Sequence, residues 1–529
     1  MPAEVAAVLD EAARQAAMLS GAPPDPHQGY ERSFLPVEDV PVDDFDLSQL
    51  PQTDLGNAER FARRFKQKFL HNSALGWLDW DGTRWRREDA DNAVSLAVHR
   101  TVRLIQVEAK VLRESEEDHV VETKRDGRVI RRSDRLAGWG RASEASPKMS
   151  AIPKHGAPYL AVATDDLDSD PWKINVANGT LVVRRDAGDE DPIAFRPHDP
   201  QDRITKRSPV VYDPTATCPI YDQFLSQVQP DPRMRAFLHQ WFGYSLTGDT
   251  SEQKLVFFYG KGKNGKSTLA DVWGHVAGDH GEILPIETFL DQGKGRNAGA
   301  ATPDLAILPG VRFLRTSEPE KNAKLAEAFI KLMTGGEPIQ ARHLNRDYFR
   351  FRPAFKLTMQ GNYRPQISGT DEGIWRRVVL MPWTVTVGKP DGDLPAKLAA
   401  EASGILNRAL DGLRSFLDGG LMLPEPVTDA TAEYRADSDP LGRFLAEAVV
   451  GEIGAREQSA VFHRVFVAWA KASGEREWSP KGLSNAMKER GYRSHHSNVM
   501  WWLDIRLRLH EVDFAATSPH PSQTGGDDE

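Results

Sequence analysis

A single cysteine, Cys218, among 529 residues rules out an intrachain disulfide and leaves no thiol pair or cysteine-based zinc cluster to build from this chain. Long apolar runs are missing too. No stretch approaches the roughly 20 residues that span a bilayer, and no membrane partner is expected. The N-terminus, MPAEVAAVLDEAARQAAMLSG, is interrupted by Glu4, Asp10, Glu11 and Arg14 and lacks the apolar core of a signal peptide. Together these absences favour a reducing cytoplasm. An excess of positive charge is also lacking: the net charge is −9, so any contact with nucleic acid must come from a locally basic surface and not from bulk attraction.

What is present is an ordinary globular composition, 40% hydrophobic and 27% charged, long enough for several domains at about 100–200 residues each. Residues 1–56 read as a lead-in, with an alanine-rich helix over 1–20 and a mobile, Pro- and Asp-rich stretch over Ala22–Thr53. Residues 57–150 read as an N-terminal α/β region. It has helical spacing in AERFARRFKQKFL and over 92–114, and a hairpin of aromatic strands in GWLDWDGTRWRRE that turns at Asp81-Gly82. The charge-dense stretch Glu116–Pro147 is left unassigned, a solvated face being preferred to a DNA contact. Residues 151–240 hold DPWKINVANGTLVVR, which alternates as a hairpin around Asn178-Gly179, and a helical pair begins at Tyr221. Residues 241–395 open with KLVFFYG, a buried strand by length and β-propensity. Beyond it, 396–437 reads as a helical linker, 438–510 as a compact unit and 511–529 as a disordered tail.

The strand Lys254–Tyr259 runs into GKGKNGKS, an uninterrupted GxxxxGK[ST], and a helix follows from Thr268. Glycines there let backbone N–H groups close on phosphates, Lys266 supplies charge to the β- and γ-phosphates, and the Ser267 hydroxyl can ligate Mg²⁺. Gly260, Lys261, Gly262, Lys263, Asn264, Gly265, Lys266, Ser267 and Thr268 are the candidate nucleotide contacts. Kinases, GTPases and motors share this loop, so it does not by itself state a use. A second strand, Val311–Thr316, ends at Ser317-Glu318, where a carboxylate can orient an attacking water and complete the metal's surroundings; Glu318 is the candidate base. A third strand, PAFKLTMQGN, ends in Asn362, whose amide can meet the γ-phosphate or the water, although a turn-forming Asn fits the same position.

Lys266-Ser267, Glu318 and Asn362, in this order and within about a hundred residues, resemble motifs A, B and C of superfamily 3 helicases, a compact AAA+ branch. Between the last two, ARHLNRDYFRFRP is similar to the hairpin those helicases project into a central channel. The resemblance puts Arg342 and His343 at its tip with Asn345 and Arg346 beside them, gripping DNA phosphates without reading bases. DPWKINVANGTLVV, DRITKRSPVVYDPTATCPIYDQFL and WFGYSLTG resemble the domain before the helicase in phage and plasmid primase-helicases, and DEGIWRRVVLMPW resembles the arginine-bearing segment after motif C.

That resemblance implies a P-loop AAA+ superfamily 3 helicase core of α/β class, preceded by an α+β N-terminal region. It implies ATP and Mg²⁺, a homo-hexameric ring on single-stranded or forked DNA, and 3′ to 5′ movement. It also implies a separate primase or polymerase as replication partner, in the bacterial cytoplasm that hosts a phage, plasmid or integrated element. Arg377 matches the position of an arginine finger acting on the neighbouring subunit's nucleotide. The first 150 residues differ from many relatives in leaving no room for a primase-polymerase domain, and primase activity is not expected.

Residues 460–510 read as helix, helix and a β-like stretch, the order of a winged helix, with Lys481, Lys488, Arg490, Arg493, His495 and His496 on a basic side. Trp469, Trp501 and Trp502 are expected in its core, whether it meets DNA or protein. A replication initiator or helicase loader that uses ATP only to control assembly would keep all of these motifs. A P-loop small-molecule kinase would need neither the hairpin nor the basic C-terminal unit.

Overall fold

The computed structural model describes residues 42–515, apart from 189, 292, 294–301, 322, 343, 345–346 and 368–371; the helix expected over 1–20 and the tail from 516 lie outside the described residues. The segment expected to be mobile up to Thr53 is folded from Asp44 onward. Asp43 caps α1 (Asp44–Ser48) and Thr53 caps α2 (Asp54–Phe65) by accepting from Gly56 N. Arg60, fully buried on α2, donates to the Leu50 and Pro51 carbonyls and to Glu108 at 2.7 Å, fastening that segment to the body.

Strands β1 (Phe69–Asn72), β2 (Gly76–Trp80) and β3 (Trp85–Arg86) make a small antiparallel sheet. The Asp81 carboxylate accepts from the Thr83 and Arg84 amides and closes the β2–β3 turn, where Gly82 has φ 96°. The long helix α3 (Ala90–Arg113) buries Val94, Val98, Val102, Ile105 and Leu112 on one face. The charge-rich stretch left unassigned forms a hairpin, β4 (Val120–Thr123) and β5 (Val129–Arg131), and α4 (Arg132–Ser143). Asp118, 6% exposed, receives the Ser133 amide and hydroxyl and holds the turn into α4. After α5 (Ser146–Gly156), β6 (Lys173–Val176), β7 (Gly179–Val183) and β8 (Ile193–Arg196) form a second antiparallel sheet, followed by α6 (Pro219–Val228) and α7 (Pro232–Leu246).

The centre is a five-stranded, all-parallel sheet. Its strands are β9 (Leu255–Tyr259), β10 (Gly281–Leu284), β11 (Phe313–Thr316), β14 (Lys356–Gly361) and β15 (Val378–Pro382), in spatial order β10-β11-β14-β9-β15. Between them run α8 (Lys266–Ala277), α9 (Pro303–Ala306), α10 (Glu327–Thr334), the hairpin β12 (Ile339–Ala341) with β13 (Phe349–Phe351), and α11 (Glu372–Trp375). The strands are apolar on both faces because both are covered. Val256, Phe258, Val379 and Met381 point into a core with Trp241, Phe242 and Trp273, while Leu255, Phe257, Leu357, Met359 and Leu380 point into another.

Three helices follow: α12 (Leu394–Ala400), α13 (Ala402–Gly419) and α14 (Glu425–Asp437). Expected to be a linker, they are part of the same body. Helix α13 lies so close to α7 that a Cβ on Gly243 would sit 2.1 Å from the Ala409 carbonyl, and one on Gly412 2.1 Å from that of His239; glycine is required at both crossings. Helix α14 covers the edge strand β15, whose Leu380 amide donates to Thr431 Oγ1.

The C-terminal unit runs α15 (Pro440–Ala448), β16 (Val449–Gln458), α16 (Ser459–Ala472), α17 (Pro480–Glu489), β17 (Ser494–His496) and β18 (Met500–Leu507), with sheet order β16-β18-β17. Strand β16 has no apolar alternation to announce it: it is polar and mostly exposed, and exists because it pairs with β18. Trp469 and Trp502 are 1% exposed in the core, while strand alternation leaves Trp501 half-buried on the other face. A last helix, α18 (Glu511–Ala515), buries Phe514 where the tail was expected to begin. Among the described residues no helix is long and apolar enough to cross a membrane.

Candidate active site

Strand β9 ends in the glycine-rich loop, and the loop ends in α8. Two left-handed residues, Lys263 (φ 61°) and Gly265 (φ 81°), wind the chain between them. Gly260 passes so near Trp383 that a Cβ would meet its carbonyl oxygen at 2.1 Å, so the loop tolerates no side chain there. Helix α8 has Gly265 at its N-cap and no side-chain cap, which leaves its first-turn N–H groups and the positive end of its dipole for an anion. Lys266, 6% exposed, folds back over the loop and donates to Gly260 O at 2.6 Å, Asn264 Oδ1 at 3.0 Å and Asn362 Oδ1 at 3.3 Å. Burial lowers its pKa, and the nearby Glu318 carboxylate works against that shift. All three acceptors are neutral, so phosphate oxygens can displace them with a gain in charge pairing. Ser267 and Lys261 are exposed, and Thr268 is half-buried.

Glu318 and Asn362 reach the same place from neighbouring strands. Strand β14 lies between β9 and β11 and all three run the same way; Asn362 and Glu318 stand just beyond β14 and β11, and Lys266 opens α8 after the loop that follows β9. This is the end of a parallel sheet where loops form a crevice for ligands. The Asn362 backbone N–H donates to Glu318 Oε1, and Gly260 N donates to Gly361 O at 3.3 Å, tying the loop ends together. Ser317 accepts from the Ile286 amide and holds the base of the Glu318 turn. Glu318 itself is exposed at the crevice. Chemically, the arrangement offers an uncapped helix start, an ammonium group, a hydroxyl and a carboxylate around one opening, with Asn362 bridging ammonium and carboxylate.

The hairpin between α10 and β14 pairs Ile339 with Phe351 and Ala341 with Phe349, all four side chains buried in the sheet's second core. Arg342 follows β12. Its amide donates to Thr302 Oγ1, and its guanidinium lies 4.7 Å from the Tyr348 ring centroid. Leu344 is 73% exposed beyond it. His343, Asn345 and Arg346 lie outside the described residues.

Arg377, the expected finger, is buried within the chain. It is 6% exposed and donates to Thr334 Oγ1 at 3.0 Å, Gly373 O at 2.5 Å and Gln253 Oε1 at 3.3 Å. Its carbonyl accepts from Leu255 N at the start of β9, the end of that strand away from the glycine loop. Both arginines lie in the turn between α11 and β15, where the Arg376 amide donates to Glu372 O and the Arg377 amide to Ile374 O; the turn sets Arg377 into the packed corner of α10, α11 and β15 and leaves Arg376 exposed. The sequence shows two adjacent arginines before an apolar strand; which of them faces inward is not readable from it.

Arg364, two residues beyond Asn362, escaped the sequence reading. Its guanidinium lies 5.2 Å from the Tyr259 ring centroid at the end of β9 and pairs with Asp437 on α14 at 2.8 Å. The only local signal is its nearness to Asn362.

Residues 58–230 match the family described as D5 N terminal like. Over 246 residues, 43% of this chain and 25% of the relative, the chain is 30% identical to a protein of Acanthamoeba polyphaga mimivirus named as a helicase. Over 244 residues it is 28% identical to one of Frog virus 3 (isolate Goorha) named likewise, covering 42% of this chain and 25% of that one. An African swine fever virus protein named as a primase is 23% identical over 216 residues, 40% of this chain and 22% of that one. The chain thus spans about a quarter of the length of these curated relatives. Among solved structures, the apo C-terminal region of NrS-1 is 10% identical with a TM-score of 0.37, covering 56% of this chain and 77% of that one.

Proposed function

From the premise that this chain belongs to the primase-helicase family, we propose that it is an ATP-dependent DNA helicase of superfamily 3, working as a ring in replication of a phage, plasmid or integrated element. The observation that carries this reading is the convergence of Lys266, Glu318 and Asn362 from three adjacent parallel strands, with Lys266 3.3 Å from Asn362 and Asn362 bonded to Glu318. On this reading the sheet is a P-loop AAA+ core. The C-terminal order of helix, strand, two helices and two strands is a winged-helix-like unit.

The loop amides and the start of α8 receive the phosphates, and Lys266 turns from its three neutral acceptors to the β- and γ-phosphates. Ser267 and Glu318 supply a hydroxyl and a carboxylate fit for Mg²⁺, which when bound neutralises charge on the transferring phosphate. Glu318 takes the proton of the attacking water, and Asn362 holds that carboxylate in register with Lys266. Arg376, the exposed member of its pair, is the finger offered to the neighbouring subunit of a homo-hexamer. Arg342 and the hairpin tip grip single-stranded or forked DNA in the channel. A separate primase or polymerase serves as partner, in the cytoplasm of a bacterial host, although the relatives matched are viral.

The test is DNA-stimulated ATPase together with strand displacement on a forked duplex, with particle symmetry determined with and without ATP. Stimulation with displacement supports a helicase, and stimulation without displacement marks an initiator or loader. Absence of both overturns the proposal.

A further inference from the structure

A cleft of about 560 Å³ opens beside the glycine loop, on the side away from Glu318's strand. One wall is α6, which presents Ile220, Gln223, Phe224 and Gln227; the other is the segment after β15, with Val387, Lys389 and Leu394; Lys263, Gly265 and Thr268 form the end nearest the loop. Both walls are fixed to the loop. A Cβ on Gly265 would lie 3.0 Å from Phe224 Cε2 and 2.9 Å from Val228 Cγ1, and the Val387 amide donates to the Lys263 carbonyl at 2.7 Å. Gln229, at the end of α6, donates to the Pro382 carbonyl and joins the two walls behind the cleft.

We propose that this cleft seats the purine nucleoside of a nucleoside triphosphate, with the loop taking its phosphates. The inference rests on the reading of the loop as a nucleotide site and adds where the base lies and which bases are preferred. The size is that of a small-ligand pocket, and it continues from the loop in the direction a nucleoside must take if the phosphates meet α8. Ile220, Phe224, Val387 and Leu394 offer apolar surface for a base. The groups able to meet a base edge are the Gln223 and Gln227 carboxamides, one helical turn apart on one face of α6. Both residues are exposed, and neither side chain has a hydrogen-bond partner among the described residues. A carboxamide presents donor or acceptor by turning over. Strong discrimination between edges requires buried polar groups that a wrong ligand leaves unpaired, and here the edge-facing groups stay in water. The cleft therefore reads ring size and apolar area, not edge pattern: adenine and guanine are both accepted, and the smaller pyrimidines are held less well.

The test uses the full chain with Mg²⁺ and measures binding of ATP, GTP, CTP, UTP and inorganic triphosphate. ATP and GTP are expected within about threefold of each other, with CTP and UTP weaker by about tenfold. Gln227→Trp, at an exposed position, fills the cleft and is expected to bring ATP and GTP down to the level of triphosphate while triphosphate binding stays unchanged. Equal binding of all four nucleotides, or ATP binding untouched by Gln227→Trp while triphosphate still binds, overturns the inference and leaves the loop's role standing. Failure of ATP and triphosphate alike to bind overturns the nucleotide reading itself, and the inference with it.

Discussion

Exchanging the roles of two neighbouring arginines makes a sharp prediction, because one variant should unfold what the other should only inactivate. In Arg377→Ala, three hydrogen bonds from a buried guanidinium disappear, to Thr334, Gly373 and Gln253. Bonds from a charged donor contribute about 1.5–3 kcal/mol each but do not add fully, since removing the guanidinium also removes its own desolvation cost; the net loss is about 3 kcal/mol. At about 2–4 °C per kcal/mol for a domain of this size, the melting temperature falls by about 6–12 °C. In Arg376→Ala only an exposed contact to Gln253 is lost, and the melting temperature should move by about 1 °C or less. Hydrolysis should instead fall by about 10³-fold or more, as for arginine fingers elsewhere. Thermal melting and steady-state ATPase on both variants separate the cases. Mixing Arg376→Ala with Lys266→Ala under subunit exchange should then restore part of the ATPase, because a mixed boundary pairs an intact loop with an intact arginine. A stable, inactive Arg377→Ala beside a fully active Arg376→Ala would refute the argument and return the finger to Arg377.

Lys266→Ala should abolish hydrolysis, whereas Glu318→Gln should still bind ATP and stall before cleavage; a near wild-type turnover in the second would remove Glu318 as base. Replacing Arg342 and His343 with alanine should leave basal ATPase in place while DNA stimulation and unwinding drop, and unchanged unwinding on a forked duplex would end the channel-hairpin assignment. Acid should destabilise the central body through His239, whose pKa is pushed down to about 4 mainly by burial. Between about pH 6.5 and 4 the unfolded chain binds a proton that the native state refuses, so stability rises with pH across that window by up to about 3 kcal/mol. Urea titrations of wild type and His239→Gln at pH 4.5 and 7 should show a smaller loss in the variant, and equal losses would assign the acid sensitivity elsewhere.

The pieces legible in the sequence are those whose cause lies within a few residues. The loop from Gly260 to Ser267 is contiguous, and its flanking strand and helix follow from composition. The β2–β3 and β6–β7 hairpins turn where Asp81-Gly82 and Asn178-Gly179 stand, since turn chemistry and period-two alternation are local properties. The α/β class of the centre was implied by the resemblance those motifs carry, while the individual apolar strands were legible as local runs ending in polar residues. What only the tertiary structure decided depends on which strands are neighbours. Strand β14 is inserted between β9 and β11, and that insertion brings Asn362 within bonding distance of residues 96 and 44 positions away in the chain. The same packing turned Arg377 inward and Arg376 outward, fused α13 to α7 through two glycines, and paired polar β16 with β18. No local pattern distinguishes those outcomes, because each is settled by burial against a distant segment, and the free energy of that burial belongs to the pair and not to either stretch alone.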